Sequence, residues 1–132
     1  MPANLNVLVY SDDSTTRQAI MVSLGRALSP ELPLLEFIEC ATEPMVVRYM
    51  DAGGIDLAIL DAEAVPAGGM GVCRALKDEI YQCPPVMLVI AREQDGWLAT
   101  WSKADAVALQ PLDPFVVSET VAKLLRSRIS YA

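Results

Sequence analysis

Three aspartates carry most of the chemistry this sequence offers. Asp12 and Asp13 follow the apolar run NVLVY, and Asp61 ends the run IDLAIL. If those two runs are strands lying side by side and pointing the same way, their ends converge and the three carboxylates come within a few ångströms of one another. Like charges that close repel, which raises a pKa or recruits a hard cation. Mg²⁺ takes one or two carboxylates, a backbone carbonyl and several waters. The competing reading is conformational: Asp13, with Ser14, caps a helix, and Asp61 closes a loop. Spacing alone leaves both open.

Several chemistries are excluded at once. The 132 residues include no histidine, so the chain has no Ser-His-Asp or Cys-His nucleophile, no imidazole metal ligand and no phosphohistidine of its own. Seventeen acidic against ten basic residues give a net charge of −7, the wrong sign for nucleic acid or an anionic membrane surface. Cys40, Cys73 and Cys83 form no CxxC pair and are odd in number, as expected of structural thiols in a reducing compartment, the cytoplasm. The start MPANLNVLVY lacks a basic leader, and no apolar run spans a bilayer, so no direct membrane insertion is expected. Length and a 53% hydrophobic fraction predict a single packed domain over 1–132 with no output domain.

The elements that must position the aspartates alternate along the chain. Strands are predicted over 6–10, 34–39, 55–60, 86–90 and 106–109 from apolar, β-branched runs bounded by turn residues. Helices are predicted after each: from Ile20, Leu24 and Leu28 up to Ser29-Pro30, then over 42–50, 72–81, 94–102 and 114–126, with 66–71 as a flexible Pro/Gly loop. Five βα units argue for a flavodoxin-like, doubly wound parallel five-stranded sheet, whose ligands bind at the carboxyl ends of the strands. A flavin or dinucleotide site would place glycines and hydroxyls after the first strand; this chain places acids there. Gly68-Gly69-Met70-Gly71 lacks the GxGxxG spacing, and no organic cofactor is expected.

The segments VLVYSDD, IDLAILD and VMLVIA, the loop holding Pro66 and Gly71, and the closing Gln110-Pro111 resemble the receiver domain of two-component response regulators over nearly the whole chain. The resemblance implies that Asp61 is a phosphoacceptor served by a histidine kinase. It further implies that Asp12 is a Mg²⁺ ligand with Asp13 as its alternate, that the Glu63 backbone carbonyl completes the protein ligands of a weak site, and that Gln110-Pro111 is a cis peptide. An ungapped match puts Ser11 on the first acidic position. Ile90 replaces the hydroxyl that senses the phosphoryl group, and an isoleucine side chain cannot hydrogen-bond it. Gln110 replaces the lysine, leaving an amide donor without its charge. With Ser11, Ile90 and Gln110 all departing, the chain resembles a degenerate pseudo-receiver, not an enzyme.

The family's output surface is its fourth helix, fifth strand and fifth helix. Trp97 and Trp101, four apart, share one helix face. They are docking candidates with Phe115, although packing against the sheet competes and is the stronger expectation for Phe115 and Val116. MPANLNVLVYSDDSTTRQ, GGIDLAILDAE and WLATWSKADA resemble actinobacterial stand-alone receivers. That resemblance implies a protein partner, the respiratory NADH:quinone oxidoreductase (complex I), and a cytoplasmic protein peripheral to the membrane through it. Three classes remain: an interaction module, a phosphoacceptor in a phosphorelay, and a small enzyme or cofactor binder that no sequence feature favours.

Overall fold

The computed structural model describes residues 4–130. Five parallel strands, β1 (Leu5–Tyr10), β2 (Leu35–Cys40), β3 (Leu57–Asp61), β4 (Val86–Ile90) and β5 (Ala106–Leu109), form one sheet in the order β2-β1-β3-β4-β5. Between and after them run α1 (Ser14–Leu24), α2 (Glu43–Ala52), α3 (Gly69–Glu79), α4 (Gly96–Ser102) and α5 (Pro114–Ser130), with a 3-10 turn at Glu93–Asp95 leading into α4. This is the doubly wound sheet that the alternation of elements predicts.

Period-two alternation gives the sheet two apolar faces. Leu8, Tyr10, Ala58, Leu60, Leu88 and Ile90 pack with Val46 and Met50 of α2, Val72, Cys73 and Leu76 of α3, and Ala99 of α4. Val7, Val9, Leu57, Ile59, Met87 and Val89 pack with Ile20 and Leu24 of α1 and Val117, Val121 and Leu125 of α5. The central strands β3 and β4 are buried throughout, as a sheet covered on both faces requires. Burying each large aliphatic side chain contributes about 1.5–3 kcal/mol, so these two strands anchor the strand ends that follow them.

Helix boundaries differ from the sequence expectation for local reasons. The first helix stops at Leu24 rather than near Ser29-Pro30, because Gly25 adopts φ +65° and its N–H closes on the Met21 carbonyl. Leu28 still packs against the second core from the connecting loop. The third helix starts at Gly69 rather than Val72, so Gly69-Met70-Gly71 is helical and not part of a flexible loop. A Cβ on Gly69 would stand 2.7 Å from the Asp61 carbonyl oxygen, and one on Gly68 would stand 2.9 Å from that of Ala62. Glycine there lets α3 begin against the backbone that carries Asp61.

Candidate functional site

Register fixes the centre of the site. Tyr10 pairs with Leu60 across β1 and β3, so the chains leave the sheet with Ser11 and Asp61 side by side. Ser11 is fully buried and Asp61 is 5% exposed. The Ser11 hydroxyl donates to Asp61 Oδ2 at 2.8 Å, and Ser11 Oγ accepts the Asp13 N–H at 3.1 Å. Asp61 Oδ1 accepts the Glu63 N–H at 2.9 Å. The aspartate predicted to be the reactive centre therefore sits in a buried hydrogen-bonded pair with a hydroxyl.

The three carboxylates do not form the cluster that sequence spacing allowed. Asp13 is the N-cap of α1: Oδ1 accepts from Thr15 N at 2.9 Å and Oδ2 from the Thr16 hydroxyl at 3.2 Å. Its capping reading is the one the structure adopts, for the reason that serine, threonine, asparagine and aspartate dominate N-caps. Asp12 is exposed, and its Oδ1 accepts the Val65 N–H at 3.0 Å, drawing the loop after β3 towards the end of β1. Among the described residues no three histidine, cysteine, aspartate or glutamate side chains are grouped so as to hold a metal ion.

Other groups complete this edge, and sequence reasoning missed them. Arg17, on the first turns of α1, donates through Nη1 to the Ser11 carbonyl at 2.6 Å and pairs through Nε with Glu39 at 2.9 Å. The Tyr10 hydroxyl donates to the Ala67 carbonyl at 2.5 Å, tying the β3–α3 loop to the end of β1. Burial, followed by the charges of Glu43, Asp12 and Asp61, pushes the Tyr10 phenol above its ordinary pKa. Tyr10 gives a usable signal, a polar-tipped aromatic closing an apolar strand; Arg17 gives none, because its partners come from two other segments.

Ile90, at the end of β4, is 3% exposed and belongs to the core cluster that includes Tyr10, Leu88 and Ala99. Its carbonyl accepts the Gln110 N–H at 2.9 Å, which brings the end of β5 level with it. The Gln110-Pro111 peptide is cis, as the resemblance implies, and so is Val65-Pro66. Gln110 lines a shallow depression with Pro111, Leu112, Ala19 and Ser23, between the end of β5 and α1.

The docking candidates are not among the residues that line this depression. Trp97 is 71% and Trp101 50% exposed, so the sheet does not take up either indole. The Arg74 guanidinium lies 5.2 Å from the Trp101 ring centroid and also donates to the Trp101 carbonyl at 2.7 Å. Phe115 is 88% exposed and Val116 is exposed too, correcting the stronger core expectation for both. They start α5, where the first buried residue is Val117.

The cysteines behave as apolar side chains. Cys40 and Cys73 are buried and Cys83 half-buried, all three unpaired. Burial pushes the Cys40 and Cys73 thiols up to about 11, and raises Cys83 as well.

No family model matches the chain. An uncharacterised response regulatory protein of Mycobacterium tuberculosis, found in two strains, is 54% identical over 123 residues, covering 93% of this chain and 92% of its own length. The chain belongs to the response-regulator receiver family. Solved receivers agree in fold. A response regulator from Chloroflexus aurantiacus superposes with TM-score 0.81 at 16% identity, covering 93% of this chain and 98% of its own. A Francisella receiver domain reaches 0.78 at 16% identity, over 94% and 98%. The Thermotoga maritima response regulator solved with Mg²⁺ and a beryllium fluoride reaches 0.74 at 22% identity, over 92% and 99%.

That last neighbour raises the question of whether this receiver's pocket suits Mg²⁺. Ser11 Oγ already donates once and accepts once, leaving one lone pair. Both Asp61 oxygens and one Asp12 oxygen hold protein donors. Each of those carboxylate oxygens keeps a further lone pair, so Asp61 and Asp12 could still serve the ion, with Ser11 beside them bringing no charge.

Proposed function

We propose that this receiver works by protein–protein interaction and without phosphorylation. The observation that carries the reading is Ile90. At the position of the family's sensing hydroxyl stands an isoleucine packed into the apolar core, so a modified Asp61 would find no hydroxyl there to draw a switch towards it. Ser11 and Gln110 support the same reading, since neither brings the charge that the matching family positions supply. The interaction face is the exposed apolar set Trp97, Trp101 and Phe115. The receiver is a binding module, not an enzyme, placed in the cytoplasm. The partner implied by the likeness to actinobacterial receivers is complex I, which would hold the protein at the membrane's cytoplasmic side; among the described residues no helix is long and apolar enough to cross a bilayer.

The test is affinity purification of the tagged protein and of its Asp61→Ala variant from the native cell, with mass spectrometry of what is recovered. The same partner with both, complex I subunits among the proteins found, is the expected outcome. A partner captured by wild type alone would overturn the reading in favour of phosphoryl acceptance at Asp61 from a histidine kinase. That second reading draws on the place of Asp61 at the end of β3, and acetyl-phosphate labelling abolished by Asp61→Asn would support it.

A further inference from the structure

The shortest of the five helices is the one that carries both tryptophans. α4 has seven residues, of which Ala99 and Ser102 are the buried ones, so apolar burial fixes it weakly, and a helix of that length depends on tertiary contacts. The segment 91–95 that leads into it bonds within itself: Arg92 pairs with Asp95, and the Asp95 N–H closes on the Arg92 carbonyl. What holds the far end comes from α3. Arg74 donates through Nη1 to the Trp101 carbonyl at 2.7 Å, in the last turn of α4 where carbonyls lack partners within the helix, and through Nε to Asp78 at 3.1 Å. Its guanidinium stands 5.2 Å from the Trp101 ring centroid. Asp78 also takes the ammonium of Lys103, the residue whose left-handed backbone, φ +67°, ends α4. Two cations therefore meet the carboxyl end of the helix, the negative end of its dipole.

We propose that Arg74, which lies on α3 and outside the exposed apolar set, is the positioning residue of the docking face: it fixes Trp101 and the carboxyl end of α4, and leaves Trp97 at the amino end free to adapt. This rests on the interaction reading and deepens it by naming what holds the face ready before a partner arrives. An indole already ordered in the free protein loses less entropy on binding than one that must be caught. Arginine suits the place as lysine does not. A planar guanidinium can stack on a ring, bond a carbonyl and pair with a carboxylate at once, whereas an ammonium on a flexible stem acts as a point charge. The same contacts separate the two indoles. Trp101, 50% exposed, has a guanidinium over its ring and a bonded carbonyl; Trp97, 71% exposed, has neither. Trp101 is the anchor and Trp97 the adaptable contact.

The experiment reads Trp101 directly. Trp97 and Trp101 are the two tryptophans of the chain, so a Trp97→Phe background leaves one indole. Its near-UV circular dichroism and acrylamide quenching are recorded in the full chain with Arg74 intact, Arg74→Lys and Arg74→Ala. Arg74→Ala is expected to keep the far-UV spectrum and lose most of the near-UV indole signal. Its quenching constant should rise by up to about twofold, the ceiling for a ring already 50% exposed that loses its stacked cation. Arg74→Lys falls between, nearer to alanine. In chains with both tryptophans, partner recovery from the native cell then drops by roughly two- to fivefold for Arg74→Ala, the scale of one exposed cation–π contact. An indole signal unchanged in Arg74→Ala overturns the inference, and so does a loosened indole with full partner recovery. If Arg74→Ala does not fold, Arg74→Lys decides by the same two readings. The double variant Trp97→Ala with Trp101→Ala keeps the two failures apart. Recovery lost in it but retained in Arg74→Ala refutes the positioning role alone; recovery retained in both brings down the docking face itself, and this inference with it.

Discussion

Ile90→Thr tests whether the position of the sensing hydroxyl faces the core or the pocket. Ile90 is 3% exposed and shares its cluster with Tyr10, Leu88 and Ala99. Shortening an isoleucine to the size of valine in a packed core costs about 0.5–1.5 kcal/mol. Leaving the new hydroxyl buried without a partner adds about 1–3 kcal/mol. The sum, about 1.5–4.5 kcal/mol, corresponds to a fall in melting temperature of roughly 5–20 °C for a chain of this size. Ile90→Val serves as the reference, since it removes carbon without adding oxygen, and the threonine-minus-valine difference isolates the hydroxyl. Denaturant unfolding followed by far-UV circular dichroism gives both values. A difference under about 0.5 kcal/mol would mean the hydroxyl reaches water or a pocket donor. In that case position 90 faces the pocket, and the placement of Ile90 in the apolar core is refuted.

Glycines of the same loop-to-helix junction should respond in opposite directions. Gly69→Ala brings a Cβ to 2.7 Å from the Asp61 carbonyl and should destabilise by about 1–3 kcal/mol. Gly71→Ala meets open space inside α3 and should stabilise by about 0.5–1 kcal/mol, both read by denaturant melts. Thiol labelling at neutral pH should be slow for Cys40 and Cys73, whose pKa values of about 11 leave almost no thiolate, with Cys83 labelling first because it is half-buried. The raised thiols bind protons more tightly in the folded than in the unfolded chain. Their contribution to stability is present below the unfolded thiol value and is lost as pH rises through about 11, which an alkaline melting series would show. Trp97→Ala with Trp101→Ala should keep the fold, since both indoles are largely exposed, and should lose at least half of partner recovery in a pull-down. Unchanged recovery by the folded double variant would place the interaction face elsewhere.

The order of elements was legible because apolar runs and turn residues are local signals. β3 and β4 read as apolar runs since both sides of each are covered, and the alternation of strand and helix admits few windings. Helix ends were less legible. Leu28 continued a spacing of four that Gly25 had already ended by turning to positive φ. Gly69-Met70-Gly71 read as loop because nothing local reveals that the Asp61 and Ala62 backbone leaves no room for a Cβ. Phe115 and Val116 read as core because hydrophobicity reports what a side chain prefers, not which way the first turn of α5 faces.

From the residues alone came the absence of histidine chemistry, the acidic balance, the five βα units, and the placement of Asp12, Asp13 and Asp61 after their strands. Composition and period are properties of short segments, so no folding is needed to read them. Tertiary structure decided how those aspartates are used. One caps α1, one draws in the Val65 loop, and one is held in a buried pair with Ser11. Those outcomes depend on the β1–β3 register, on the close approach of α3, and on amides of the loop after β3. Hydrogen bonds act over about 3 Å between residues far apart in sequence, and only the packed sheet brings them to that distance.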